Sequence, residues 1–228
     1  MTVAVPLGVL VSALWVRSDP ESPPWQGLDD KWNGLVGGPE EALPWQLAEL
    51  LNRLGAQPGL VLLAIGVLAL LLVRRWRSAV FACAAVAAAA MVVDVFKVLS
   101  ARPRPDDITV DIASMAFPSG HAARMGAFVV VIAVVAIPAR HLKRWWPVAV
   151  LLTFAMMLAR NWQHAHWLSD TIAGAATGWA VAALLWWALA PLLDRERALR
   201  EVAEVDRETA RAPGVSGDHL SWWHTRST

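Results

Sequence analysis

Three short clusters of residues suited to phosphate chemistry stand at the edges of long apolar segments. They are Lys97 with Arg104 and Pro105, the run Pro118, Ser119, Gly120 and His121, and Arg160 with His166 and Asp170. Together they supply three cations, two imidazoles and one carboxylate. A phosphoryl group in transfer spreads negative charge over its oxygens, and fixed cations can stabilise that charge without a metal. The clusters therefore predict a metal-independent site for phosphoryl transfer.

The three cations and the serine-glycine pair are candidates for holding the phosphate. The guanidinium groups of Arg104 and Arg160 offer bidentate forks for phosphate oxygens, and Lys97 offers a point charge. Ser119 and Gly120 open an apolar segment, where the first N–H groups of a helix have no internal partners and favour anions. For each cation taken alone, there is a purely structural alternative. A long basic side chain at a helix end can snorkel, that is, anchor the helix end in the lipid headgroups.

The two histidines and the carboxylate are candidates for the chemistry itself. His121 can protonate a leaving alkoxide as a general acid. His166 and Asp170 are four residues apart and share one face of any helix that begins there. A carboxylate at one ring nitrogen sets the tautomer and leaves the other nitrogen free to act as a nucleophile.

Two other chemistries fit parts of the same residues less well. His164 and His166 form a His-x-His pair that Asp170 and His121 can complete as a zinc site, although three nearby cations oppose a metal ion. Ser119 is two residues from His121 and has no defined oxyanion site, which disfavours an acyl hydrolase.

The composition describes a membrane protein. Of 228 residues, 57% are hydrophobic and 17% are charged, which is too apolar for an ordinary soluble domain. The net charge of +1 and the lack of a dense basic stripe give no case for nucleic-acid binding, so no nucleic-acid partner is expected. The single cysteine, Cys83, excludes a disulfide framework. Many of the 14 Trp residues flank apolar segments, as in an interfacial aromatic belt.

Six apolar segments predict an all-α, polytopic bundle of six transmembrane helices. This bundle forms one domain, 1–193, followed by a charged cytoplasmic tail, 194–228, which is helical to about Arg211 and flexible beyond it. Some segments are shorter than the ~20 residues that cross a bilayer upright, so we expect them to extend through polar ends. The predicted spans are 3–16, 57–73, 78–98, 122–138, 145–159 and 169–193.

The acidic loop between the first two spans ends in a leucine-rich stretch, 43–54. Its leucines recur at helical spacing, and Gly55 and Pro58 follow. The pattern predicts either an amphipathic helix on the membrane surface or a longer second span.

The distribution of basic residues predicts the orientation. Short loops rich in lysine and arginine face the cytoplasm. The segments after the second, fourth and sixth spans are rich in basic residues and are therefore predicted to be cytoplasmic. Both termini then face the cytoplasm, and the loops after the third and fifth spans face outward. Arg102, Arg104 and Arg160 lie on that outward side against the usual bias, which marks them as functional candidates.

In these motifs the sequence resembles the type 2 phosphatidic acid phosphatase superfamily, which also includes the vanadium haloperoxidases. The family's first motif, Lys, six residues, Arg-Pro, matches at Lys97 and Arg104; a second Arg-Pro at Arg102 is out of register. The second motif matches in full at 118–121. The third, Ser-Arg, five residues, His, three residues, Asp, matches from Arg160 to Asp170, with Ala159 in place of the leading serine.

The resemblance implies a role for each matched residue and implies no metal and no cofactor. His166 would attack phosphorus and form a phosphohistidine, Asp170 would orient His166, and His121 would protonate the leaving group. The residues that would hold the phosphate are Lys97, Arg104, Ser119, Gly120 and Arg160. Asp94, one turn before Lys97, has no role in the family, and we expect it to form a structural ion pair with Lys97.

The resulting prediction is a bacterial plasma-membrane lipid phosphatase with an outward-facing site at headgroup level. The bacterial source rests on the Ala, Val, Trp and Arg bias of the composition. Candidate substrates are polyprenyl pyrophosphate, phosphatidylglycerol phosphate and phosphatidic acid, and the other partners are membrane lipids. The alternatives are a haloperoxidase, disfavoured by the spans, and a catalytically silent lipid-phosphate-binding or transport protein. The motifs carry no information on the lipid tails or the oligomeric state.

Overall fold

A computed structural model describes residues 4–211, with side chains described to residue 199. Helices account for all the regular structure of this part of the chain, in agreement with the predicted all-α class. They are α1 (Ala4–Ser18), α2 (Gln26–Asn33), α3 (Leu43–Gly55), α4 (Gln57–Leu72), α5 (Trp76–Ser100), α6 (Gly120–Val135), α7 (Leu142–Trp162) and α8 (Leu168–Arg211), with a short 3-10 helix at Ala139–His141.

A helix forms at each of the six predicted spans, but not every helix is long enough to cross a membrane. Within the described residues, three segments are long and apolar enough: Trp76–Ser100, Ala139–Trp162 and Leu168–Leu199. Helices α3 and α4 qualify together as a fourth, while α1 and α6 have only 15 and 16 residues. The count of six spanning helices stays a prediction.

The leucine-rich stretch forms a helix of its own, α3, which a bend of 47° separates from α4. The pair is either a broken span or a re-entrant loop. Leu43, Leu47 and Leu50 on α3 are exposed, while Ala48 and Gly55 are buried. Helix α3 packs against α7, and this contact brings its polar residues to the site described below.

Helix α2 lies in the segment that the sequence predicted to be an acidic loop. It spans Gln26–Asn33, and its Asp29 is 1% exposed. A carboxylate is rarely buried unless a cation is paired with it. The partner is Arg102, so this helix belongs to the surroundings of the candidate site.

Small residues let α8 approach α6 closely. A Cβ atom added to Gly178 would lie 1.9 Å from the carbonyl oxygen of Ala123, and one added to Gly174 would lie 2.3 Å from that of Ser119. Such contacts are possible only without a side chain, as at many helix interfaces in membranes. The two glycines thus bring the beginning of α8, with Asp170, next to the beginning of α6.

The described chain forms two compact units, and the first ends at Ala190. The second begins at Pro191, inside α8, and its described part continues as helix to Arg211, where the sequence predicted the helix to end. The predicted flexible end, 212–228, lies outside the described residues. The division of the chain at residue 193 stays a prediction.

Candidate active site

The residues of the three clusters meet at one end of the helices. Helices α5 and α7 end there, and α6 and α8 begin there. A cavity of about 390 Å³ opens between them. Of the eight candidate site residues, six line this cavity, namely Lys97, Arg104, Gly120, His121, Arg160 and His166. Ser119 and Asp170 are fully buried beside it.

Arg104 joins the α5–α6 loop to the α7–α8 loop. Its Nε donates to the Ser114 carbonyl at 2.8 Å, and its Nη1 donates to the carbonyl of Ala165. The same Nη1 lies 3.2 Å from Nε2 of His166. Lys97, from the last turn of α5, donates to the carbonyl of Met115 in the same loop. The two cations are therefore held in place by backbone carbonyls.

The contact with Arg104 sets the tautomer of His166. A guanidinium group only donates hydrogen bonds, so Nε2 of His166 must accept, and the ring hydrogen of the neutral imidazole then resides on Nδ1. Nδ1 lies 3.6 Å from Oδ2 of Asp170, too far for a hydrogen bond. The carboxylate of Asp170 thus faces Nδ1, the nitrogen opposite the nucleophilic one. The distance between them has to shorten before a hydrogen bond forms.

His166 is neutral in this environment. Its side chain is 3% exposed. Burial holds the pKa of His166 well below its ordinary value, and the positive charges of Arg104 and Arg160 lower this pKa further. Burial and the neighbouring cations therefore favour the neutral ring, in which Nε2 keeps its lone pair.

Asp170 is held from three directions. Its Oδ1 accepts a hydrogen bond from Arg102 at 2.6 Å, and its Oδ2 accepts one from the backbone N–H of Trp167 at 3.0 Å. The latter contact closes the first turn of α8, as acidic residues at this position do. The backbone carbonyl of Asp170 accepts from the N–H of Ser119 at 2.9 Å, which ties α8 to the start of α6.

Arg102, which the motif spacing set aside, is fully buried between two carboxylates. Its Nη1 donates to Asp170 at 2.6 Å and its Nη2 to Asp29 at 2.7 Å. Gln26 and Ser169 accept two further hydrogen bonds from the same guanidinium group. The repeated Arg-Pro was visible in the sequence, but no local pattern pairs it with an aspartate 73 residues away.

Arg160 is also fully buried, and only part of its guanidinium group is bonded. Its Nη1 donates to Asn52 at 2.5 Å and to Gln163 at 2.6 Å. Glu49 accepts hydrogen bonds from both of these amides, at 3.0 and 2.9 Å. No sequence pattern indicated these three supporting residues, since Glu49 and Asn52 come from α3 and meet Arg160 only in the folded chain.

Several donors and acceptors around the cavity have no protein partner within the described residues. They are Nε and Nη2 of Arg160, Oγ of Ser119, Nε2 of His121 and Nδ1 of His166. Buried polar atoms are nearly always hydrogen-bonded, so a group of them beside one cavity calls for a ligand. Two guanidinium donors, a hydroxyl and an imidazole match the oxygens of a phosphate.

His164 and Asp94 do not make the contacts that the sequence suggested. His164 lies against other residues, with Nδ1 2.6 Å from Asp107 and Nε2 2.7 Å from the Val36 carbonyl. No cluster of three metal-ligating side chains occurs in the part of the chain that the structure describes. Asp94 forms no ion pair within 4 Å of Lys97 there, so that prediction was wrong: Lys97 reaches the Met115 carbonyl instead.

Comparison with solved structures identifies the fold. The chain is similar to the transmembrane PAP2-type phosphatidylglycerolphosphate phosphatase from Bacillus subtilis, with a TM-score of 0.65 and 19% identity, covering 81% of this chain and 93% of the other. It is also similar to LpxE from Aquifex aeolicus, with a TM-score of 0.56 and 19% identity, covering 70% and 93% of the two chains. At these identities the likeness concerns the fold.

Sequence comparison identifies the family. A search among curated proteins finds no match. The profile of the PAP2 superfamily matches residues 78–193, which is half of the chain and includes all three clusters. This match agrees with the helical fold and with the architecture shared with two membrane phosphatases. The chain therefore belongs to the PAP2 superfamily.

Proposed function

We propose that this protein is a metal-independent lipid phosphatase that acts through a phosphohistidine on His166. The observation that carries the proposal is the position of His166 Nε2, which faces a cavity walled by Lys97, Arg104 and Arg160. A neutral imidazole beside three cations combines a nucleophile with the charge that a phosphate requires.

The reaction has two steps. Nε2 of His166 gives up its hydrogen bond with Arg104 and attacks phosphorus, the P–O bond to the lipid breaks, and the leaving oxygen takes a proton from the imidazolium form of His121. A water molecule then gives its proton to His121 as its oxygen bonds to phosphorus and the N–P bond breaks. Asp170 stabilises the Nδ1–H of His166 while the ring carries positive charge. The products are inorganic phosphate and the dephosphorylated lipid.

The phosphate-binding roles follow from the unpartnered groups. Arg160 would bind phosphate oxygens through Nε and Nη2, and Ser119 through its hydroxyl. Gly120 begins α6 and offers a backbone N–H at the positive end of the helix dipole. Lys97 and Arg104 would complete the cation set. The substrate is a phosphomonoester or diphosphate of a lipid, with phosphatidylglycerol phosphate, phosphatidic acid and polyprenyl diphosphate as candidates.

The activity is tested by phosphate release from these lipids with purified protein in nanodiscs containing EDTA. We expect turnover to persist at an undiminished rate, because the cations replace a metal in stabilising the transferred group. Loss of activity in EDTA together with recovery on adding zinc would contradict the metal-independent mechanism. Binding of the lipids without phosphate release would favour the silent lipid-binding alternative.

We further propose that the site faces outward from a bacterial plasma membrane, with both termini in the cytoplasm. The observation behind this is the concentration of basic residues in the loops opposite the site. In a Cys83→Ala background, Asp106→Cys should react with a membrane-impermeant thiol reagent in whole cells, since residue 106 is exposed at the site end of the helices. Arg140→Cys, in the α6–α7 loop, should react only after lysis. The reverse pattern would invert the orientation.

A further inference from the structure

The C-terminal end of α3 contacts three basic side chains of the candidate site. The side chain of Asn52 accepts a hydrogen bond from Arg160, and the carbonyl of Gly55 accepts one from Arg124. The backbone of Asn52 is also hydrogen-bonded to the ring of His121. The last carbonyls of a helix have no partner inside it and carry the negative end of its dipole, so this end of α3 favours cationic neighbours.

The bond to Asn52 determines which nitrogen of His121 faces the cavity. A backbone carbonyl only accepts hydrogen bonds, so the ring nitrogen in this contact carries a hydrogen. Nε2 of His121 has no protein partner among the described residues, which leaves Nδ1 to donate to the Asn52 carbonyl. Nδ1 keeps its hydrogen in both the neutral and the charged ring, so Nε2 is the nitrogen that exchanges a proton.

Gly55 packs directly against the same ring. A Cβ atom added to Gly55 would lie 2.7 Å from Cδ2 of His121 and 2.9 Å from Cε of Met156. Both distances are too short for carbon atoms in contact, so only glycine lets the helix end approach the ring this closely. The chain then bends by 47° into α4. The end of α3 therefore restricts His121 by a hydrogen bond and by packing.

The proposed first step needs both restrictions. Nε2 of His121 has to carry a proton and to point at the leaving oxygen. Burial and the positive charges of Arg160 and Arg124 lower the pKa of His121, whereas the backbone of Asn52 raises it. A bound phosphate dianion acts in the same direction as this carbonyl, because an opposite charge favours the imidazolium form.

We infer that the C-terminal turn of α3, from Asn52 to Gly55, positions His121 for proton transfer to the leaving group. The inference rests on the proposed phosphatase function and adds a positioning element outside the three sequence clusters. The proton passes from Nε2 of His121 to the leaving oxygen as the P–O bond breaks. The Nδ1–H stays bonded to the Asn52 carbonyl, and the ring becomes neutral.

Gly55→Ala tests the inference, because the added methyl group displaces the His121 ring without removing a charged group. Phosphoenzyme formation from phosphatidic acid in nanodiscs should slow by at least about 10-fold, since a general acid contributes about 10²–10⁴-fold. Formation from p-nitrophenyl phosphate should slow by less than about threefold, because p-nitrophenolate leaves without a proton. Rapid quenching of the labelled phosphoenzyme measures the first step alone.

Two further variants control for packing. Gly66→Ala on α4 is the matched change, since no atom lies within 4 Å of a Cβ at that position, and both rates should equal those of the wild type. In a His121→Ala background, Gly55→Ala should cause no further loss with phosphatidic acid. The ring that the methyl group displaces is absent there, so the two effects are not additive.

A measurement on the wild type needs no change in packing. ¹⁵N NMR of histidine-labelled protein at alkaline pH reports which ring nitrogen carries the hydrogen, and the spectrum of His121→Ala identifies the signals of His121. We expect the Nδ1–H tautomer for His121, as the Asn52 carbonyl requires. The Nε2–H tautomer would overturn the inference, and this result does not depend on the folding of Gly55→Ala.

The kinetic outcomes are equally distinct. Equal slowing with both substrates in a Gly55→Ala protein that keeps the wild-type melting temperature would overturn the inference, because a general acid matters only for a leaving group that needs a proton. Unchanged rates with both substrates would overturn it as well. Failure of the proposed function is a separate result, since the wild type would then form no phosphoenzyme from either substrate.

Discussion

His166→Ala should abolish turnover of every lipid phosphate, with a loss of more than about 10⁴-fold in kcat, the scale expected when a nucleophile is removed. The reason is that Nε2 of His166, which accepts from Arg104, places an unprotonated nitrogen beside the cations of the cavity. The measurement is phosphate release, together with trapping of an acid-labile phosphoenzyme from a ³²P-labelled lipid phosphate.

His164→Ala is the matched control. This histidine is two residues away but contacts Asp107 and the Val36 carbonyl, so its loss should alter kcat by less than about threefold and leave the phosphoenzyme intact. A labelled intermediate in His166→Ala, or full activity in that variant, would refute the assignment of the nucleophile. Loss of the label in His164→Ala alone would move the assignment to His164.

Arg102→Met should be the most destabilising single change in the site, lowering the free energy of unfolding by about 3–5 kcal/mol. The variant leaves Asp29 and Asp170 buried without their shared cation, at 1% and 0% side-chain exposure. It should also lower kcat, because Asp170 loses the contact that directs it towards His166. Thermal unfolding in detergent and phosphate release measure the two effects.

An exposed arginine provides the comparison. Arg53 is paired with Glu49 at 2.7 Å, but its side chain is 74% exposed, so Arg53→Met should alter the free energy of unfolding by less than about 1 kcal/mol. In the Arg102→Met background, Asp29→Asn should restore part of the lost stability, since it removes one uncompensated charge. Wild-type stability in Arg102→Met would show that the buried cation contributes no net stabilisation.

The spacing of residues along the sequence predicted several local arrangements of the candidate site. His166 and Asp170 were predicted to lie together because four residues make one turn of a helix, and they do face each other at the start of α8. Gly120 was predicted to open a helix, and α6 begins there. The prediction that Asp94 pairs with Lys97 used the same rule and failed, because a backbone carbonyl of the following loop is within reach of the lysine.

The surroundings of the site depend on contacts between distant parts of the chain. Asp29 reaches Arg102 across 73 residues, and Asn52 reaches Arg160 across 108. Neither α2 nor α3 carries a motif, so their polar residues read as ordinary loop or interfacial residues in the sequence. In the folded chain they are the partners of the buried arginines, because a charge removed from water needs a compensating group nearby.

The sequence by itself determined the helical class, the membrane setting and the order of the chemical groups, since apolar length and residue spacing are local properties of a chain. Only the tertiary structure decided how those groups are oriented. The tautomer of His166, the burial of Arg102 between two aspartates and the contact of Arg160 with Asn52 arise from the packing of α2, α3, α7 and α8. Electrostatic interactions act through space, so their partners follow from the folded distances and not from the order of residues.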